Sequence, residues 1–149
     1  MTRATPSSTA SRAGSSSAAG GCGPWRSPVR LPSSASSGST RPTFDAPFTP
    51  AVEVGWRLAR RHWGHGYATE GARAALDFGF DALALDEIVS FTTHGNTRSR
   101  DVMGRLGMHH DPADDFDNPN VAAGDSLRRH VLYRLDRAGW QRNRPPAAR

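Results

Sequence analysis

The sequence predicts a mixed α/β (α+β) domain, central strands flanked by helices, behind a disordered N-terminal segment. Three observations predict it. Apolar residues alternate with polar ones between Ala51 and Leu58, as in a half-buried strand. A helical stripe follows directly after a glycine-containing turn. Composition changes abruptly at Phe44, where the first cluster of large apolar side chains begins.

Residues 1–43 are mostly Ser, Thr, Ala, Gly, Pro and Arg. Such a segment cannot bury enough surface to offset the entropy of ordering it. It is expected to be disordered, with a domain over 44–140 and a loose tail over 141–149. In the strand over 51–58, Val52, Val54, Trp56 and Leu58 share one face and Glu53, Gly55 and Arg57 the other. A turn at His62–Gly66 leads into a helix over 68–83. There Ala68, Ala72, Ala75, Leu76, Phe80 and Leu83 face inward and Glu70, Arg73, Asp77 and Asp81 outward. Glu87–Thr93, rich in β-branched and aromatic residues, reads as a second strand. Asn96 is a good N-cap for a helix to about Leu106, which Gly107 stops. An acidic loop spans 111–125, and His130–Leu135 reads as the last strand. The order is β-α-β-α-loop-β.

Composition limits the function classes. The chain has 149 residues, enough for one modest domain. No stretch approaches the ~20 apolar residues of a membrane span, and a cytoplasmic setting is expected. The lone Cys22 has no Cys or His neighbour to make it a nucleophile or zinc ligand. The formal charge is +5, yet Arg3, Arg12, Arg26, Arg30 and Arg41 lie in the first 43 residues, where there is no acid. From Phe44 onward the charges balance, and there is no Lys to build a mixed phosphate-binding surface. A basic-tail nucleic-acid binder is the least favoured reading.

The turn Arg61-His62-Trp63-Gly64-His65-Gly66 carries the chemistry. Glycines let the backbone turn sharply, and the following helix start offers unpaired N–H groups. Together they can cradle a pyrophosphate, with Arg61 adding a charge-assisted contact. An ordinary strand-to-helix turn explains the spacing equally well. No Lys-Ser/Thr follows, so it is no P-loop, and the next glycine is too distant for a dinucleotide fingerprint. Trp63 is expected to pack behind the turn. His62, His65, His109 and His110 match no standard metal-ligand spacing, and the acidic loop lacks the calcium-loop glycine and terminal Glu. No metal is expected.

The run VEVGWRLARRHWGHGYATEGARAALDF, with Arg61-x-x-Gly64-x-Gly66, resembles the acyl-CoA signature of the GNAT superfamily, in particular its RimJ/RimL-type protein N-terminal acetyltransferases. Phe91–Met108, with Asn96 and Ser99, resembles that family's next strand and helix, and DDFDNP with LRRHVLYRLDR its C-terminal part. The resemblance covers about residues 42–138. It implies direct transfer of acetyl from acetyl-CoA to a primary amine, of a peptide N-terminus or a small molecule, in a partial GNAT fold. Val54, Gly55, Trp56, Arg61, Gly64, His65, Gly66, Tyr67, Ala68 and Asn96 are the implied cofactor contacts. Backbone N–H groups of the strand would polarise the thioester carbonyl. Glu53 is the implied base, although a solvated strand position would also suit it. Ser99 or Tyr133 would stand near the leaving thiolate, though Ser99 could simply cap its helix and Tyr133 could belong to the core. A non-catalytic acyl-CoA-binding remnant is the second reading.

The family has about three strands and two helices before the matched stretch. Read one base out of frame, Leu31–Thr40 becomes an apolar pattern similar to the family's third strand, and Ala19–Ser27 one similar to the strand before it. This implies an insertion or deletion of one base near the codons of Thr40 and Arg41. Without those strands, the edge of the strand over 51–58 is expected to be bare, and the chain as it stands poorly stable and weakly active.

Overall fold

Val54 sets the centre of the fold. It is the fully buried residue of a strand whose neighbours alternate outward, and the helix after the glycine turn packs over it. The computed structural model describes residues 25–26 and 35–144. The described strands are β1 (Trp25–Arg26), β2 (Ala35–Thr40), β3 (Glu53–Leu58), β4 (Glu87–Thr93), β5 (His109–His110), β6 (Phe116–Asp117) and β7 (Arg129–Asp136). The described α-helices are α1 (Tyr67–Asp77), α2 (Thr97–Arg105) and α3 (Arg137–Asn143). One sheet runs β1-β2-β3-β4-β7-β5, with β6 also paired to β7. All its pairs are antiparallel except β3 with β4.

Two apolar clusters sandwich the sheet. On one face Val54, Ile88 and Leu135 meet Ala72, Ala75 and Leu76 of α1, Met103 and Leu106 at α2, and Trp140 of α3. On the other, Val89 and Leu132 are covered by Phe48 and Phe116, with Phe44 and Phe91 packed against them. Phe48 and Phe116 meet edge-on at 4.8 Å. Among the described residues no helix is long and apolar enough to cross a membrane.

β4 and α2 form where the sequence predicts them. Asn96 caps α2 by accepting from the Ser99 N–H, and Gly107 ends it in the left-handed region at φ 78°. Four expectations are corrected. The segment before Phe44 does contain strand: β2 pairs with β3 along its whole length, Ala35↔Leu58 to Thr40↔Glu53, so the edge of β3 is covered. Residues 1–24 and 27–34, with Cys22, lie outside the described residues. The helix after the glycine turn does not continue regularly to Leu83. It gives way to a π-turn at Phe78–Ala82, and Leu83 is exposed. The acidic loop holds a short 3-10 turn at Pro112–Asp114 and the strand β6. The tail is helical through Asn143. Asp136 caps α3 by accepting from the Gly139 N–H, and buried Trp140 stacks on Phe80 at 6.2 Å. Residues 145–149 lie outside the described residues.

β2 has the backbone of a core strand without its side chains. Ser37 and Ser39 lie opposite Trp56 and Val54 on the α1 side of the sheet, and both hydroxyls are buried with no partner. A buried unpaired hydroxyl costs about 1–3 kcal/mol, and Ser is a weaker strand former than Val. The double variant Ser37→Val/Ser39→Val is therefore expected to gain about 2 kcal/mol, read as a higher thermal midpoint. A lower midpoint would mean that these hydroxyls are satisfied in solution.

Candidate functional site

The parallel pair β3 and β4 is in register at one place, Glu53 opposite Val89. A backbone bond from the Val89 N–H to the Val52 carbonyl at 2.9 Å closes that end. Beyond it the strands diverge, and a cavity of about 720 Å³ opens between Gly55–Arg57 on one side and Ser90–Thr93 on the other. It crosses the sheet. Asn96, Ser99 and Met103 of the α2 region line it on the helical face, and Glu53, Phe91 and His130 on the aromatic face.

A second cleft of about 1010 Å³ continues from it, sharing Trp56, Arg57, Asn96 and Ser99. The glycine turn and the start of α1 form one wall, through Gly64, Gly66, Tyr67, Ala68 and Thr69. Gly64 and Gly66 sit at φ 81° and 82°, a region that side chains strain to enter. The first bond of α1 runs from the Glu70 N–H to the Gly66 carbonyl at 3.0 Å. The N–H groups of Tyr67, Ala68 and Thr69 thus have no partner within the helix and stand at its positive end. Residues of α2 form the other wall.

Glu53 is the electrostatic outlier of the site. Burial pushes its carboxyl up to about 7, although a hydrogen bond from Thr40 opposes the shift. A carboxyl at that value is half ionised near neutral pH and can accept a proton there. On the opposite side of the gap, the Asn96 side-chain amide donates to Thr92 Oγ1 at 2.9 Å and to Ser99 Oγ at 3.1 Å. Asn96 Oδ1 accepts from the Ser99 backbone N–H at 3.3 Å. With Ser99 Oγ accepting, its own proton is free to turn towards the cavity.

The structure brings together Glu53, Gly55, Trp56, Gly64, Gly66, Tyr67, Ala68, Asn96 and Ser99 along this continuous cleft. Four sequence-predicted residues differ. The Val54 side chain is in the core, so only its backbone can serve a ligand. Arg61 is exposed on the short Arg60–His62 turn, its Nε donating to His62 Nε2 at 3.1 Å, and is not among the cleft-lining residues. His65 is exposed against the Tyr67 ring at 5.7 Å, also off the lining. Tyr133 packs against the helical core, its ring stacked on His110 and its hydroxyl accepting from Arg100 Nε at 3.3 Å. It lines neither part of the cleft, because strand alternation turns it beneath α2. Trp63, expected behind the turn, is 44% exposed and lines the cleft.

Sequence reasoning missed His130 and Arg98. His130 Nδ1 lies 3.1 Å from the Arg128 carbonyl and must donate to it, leaving Nε2 as the acceptor in the neutral ring. Its signal was the strand alternation that puts it opposite Thr93. His110 is held by Asp115 at 2.7 Å, and among the described residues no three His, Cys, Asp or Glu side chains cluster as metal ligands would.

Residues 9–109 match the family described as "Acetyltransferase (GNAT) domain", a span that includes most of the segment before Phe44. The chain is 33% identical over 105 residues to the FsC-acetyl coenzyme A-N(2)-transacetylase of Aspergillus fumigatus, covering 66% of this chain and 42% of that protein. It is 44% identical over 59 residues to the uncharacterised protein YkkB of Bacillus subtilis, covering 40% of this chain and 34% of that one. It thus spans well under half the length of these relatives. Among solved structures, an acetyltransferase of Agrobacterium tumefaciens aligns at TM-score 0.50 and 31% identity, over 68% of this chain and 52% of the other. The Mycobacterium smegmatis RimJ in complex with CoA-disulfide shares the fold at TM-score 0.52 and 22% identity, over 68% and 46%.

Proposed function

The chain belongs to the GNAT acetyltransferase family, and from that membership we propose that it moves an acetyl group from acetyl-CoA directly to a primary amine. The observation that carries this reading is the divergence of β3 from β4 after Glu53 and Val89, which opens a passage through the sheet beside a carboxyl raised to about 7.

The residues present suit acetyl-CoA. Past Glu53, the backbone groups of β3 that point away from β2 face the gap rather than β4, and an extended amide-bearing arm can pair with them. The backbone N–H of Trp56, which points away from β2, stands where a thioester carbonyl can be polarised. The unpaired N–H groups at the start of α1, beside Gly64 and Gly66, suit a pyrophosphate. When bound, acetyl-CoA supplies the activated acetyl carbon.

The amine approaches from the aromatic face, where Glu53, Phe91 and His130 border the passage. Ionised Glu53 takes the proton from its ammonium, freeing the nitrogen pair for the acetyl carbon. As the carbon–sulfur bond breaks, the Ser99 hydroxyl gives its proton to the departing sulfur, the surplus proton on the new amide nitrogen passes through water to restore Ser99, and Glu53 returns its proton to solvent. Tyr133 has no part in this scheme. We place the acceptor among peptide N-termini or small-molecule primary amines, and the enzyme beside the RimJ/RimL-type acetyltransferases in the cytoplasm. The motifs around Gly64 and Asn96 support that placement.

The test is thiol release from acetyl-CoA by the full chain, with mass analysis, across free-N-terminal peptides, polyamines and small amines. Release that depends on the amine, with an acetylated product, is expected. Acetyl-CoA binding without turnover on any acceptor would favour a non-catalytic acyl-CoA-binding protein, and no binding at all would overturn the reading.

A further inference from the structure

One end of the cleft carries cations that the acetyl-transfer scheme leaves unused. Arg98 and Arg105 of α2 line it together with the single carboxylate Asp101, and Arg57 of β3 stands where the cleft joins the passage through the sheet. Four arginines elsewhere are ion-paired: Arg128 and Arg129 with Asp117, Arg134 with Glu87 and Asp114, and Arg144 with Asp77 and Asp81. Among the described residues Arg57, Arg98 and Arg105 have no carboxylate within ion-pair distance. Arg98 and Arg105 are seven residues apart on one helix, hence on one face and roughly 10 Å apart along the axis.

Arg98 also spans the cleft. Its guanidinium lies 4.3 Å over the ring of Trp63, which stands on the opposite wall. Trp63 is held by an indole N–H donated to the Leu58 carbonyl at 3.0 Å, and Arg60 flanks the ring at 5.9 Å. A cation–π contact on so exposed a ring is weak. A phosphate monoester, doubly charged and able to take two parallel N–H bonds from a guanidinium, is the stronger partner.

The inference rests on the acyl-CoA reading of the cleft. If the glycine turn takes the pyrophosphate, the next anionic group along the coenzyme is the phosphate on its ribose. We propose that Arg98, seconded by Arg105, is the specificity-determining contact for this ribose 3′-phosphate, and that Trp63 parks the Arg98 side chain at the cleft mouth until the phosphate arrives. Arg98 then exchanges an aromatic face for an anion, and Trp63 is uncovered.

The experiment is calorimetric titration of the full chain with CoA and with 3′-dephospho-CoA, repeated on Arg98→Ala and Arg105→Ala. The unaltered chain is expected to bind CoA about tenfold more tightly than its dephospho form. Arg98→Ala should abolish most of that ratio while leaving affinity for dephospho-CoA unchanged, and Arg105→Ala should reduce it in the same direction. Retained dephospho-CoA binding shows that a variant is folded. If the Arg98 variant is not folded, the Arg105 ratio decides. The indole emission lost in Trp63→Phe should respond to CoA more than to dephospho-CoA. Equal affinity of the unaltered chain for both ligands, or equal weakening of both by the variants, overturns this assignment alone. Failure to bind either ligand overturns the reading of the cleft as well.

Discussion

Glu53→Gln is expected to lower the rate of acetyl transfer by about 10²–10⁴-fold, the usual contribution of a positioned general base. The amide keeps the shape of the side chain and loses the proton acceptor. In the unaltered chain the rate should rise with pH through about 7, because burial places the Glu53 titration there and the ionised form is the active one. A Gln variant with an unchanged rate and the same inflection would remove Glu53 from the mechanism. The same substitution should stabilise the fold. Folded Glu53 holds its proton to about 7 while the unfolded chain releases it near 4.5. The folded state therefore binds more protons between these values, and stability falls as pH rises from 4.5 to 7. The penalty is absent below 4.5 and complete above 7, amounting to as much as about 3 kcal/mol at ~1.4 kcal/mol per unit. Denaturant titrations at pH 5 and pH 8 should show Gln gaining over Glu at the higher pH only. A gain independent of pH would trace to packing instead.

Trp140→Ala is expected to cost about 3–5 kcal/mol and to lower the thermal midpoint by roughly 10 °C. Trp140 is 2% exposed, stacks on Phe80, and ties α3 to the core beneath α1. Trp140→Phe keeps the stacked ring and removes an indole N–H that is buried without a partner, so it should retain most of the stability. A mild Ala variant would mean that α3 is dispensable to the domain.

Local signals account for what could be read without coordinates. Glu87–Thr93 combined β-branched residues with clear boundaries, and Asn96 and Gly107 punctuated α2 by side-chain and backbone chemistry of their own. Gly64 and Gly66 announced the turn because their positive φ values demand glycine. β2 was hidden because Ser36, Ser37, Gly38 and Ser39 carry no strand propensity, and its strand character comes from pairing with β3. The frame-shift reading located a strand in the same stretch, on different side chains. α3 is short, and its main local cue was Asp136 as a cap. In the site, Glu53 and Ser99 were named from resemblance. That they lie on opposite sides of one gap depends on strand divergence, which no local pattern encodes. Arg98 and Trp63 meet across that cleft for the same reason.

The single rung joining β3 to β4 also bears on how this protein comes apart. With so little backbone pairing there, the two leaves of the sheet, β1-β2-β3 and β4-β7-β5, are held together mainly by the side-chain core that α1, α2 and α3 build across them. Amides of Gly55 to Leu58 that face the gap should exchange with solvent sooner than those paired to β2. A pantetheine arm lying in the gap would act as a replacement strand, supplying the missing rungs and coupling the leaves. The thermal midpoint should then rise as the ligand saturates the chain, and the gap-facing amides should gain protection from exchange.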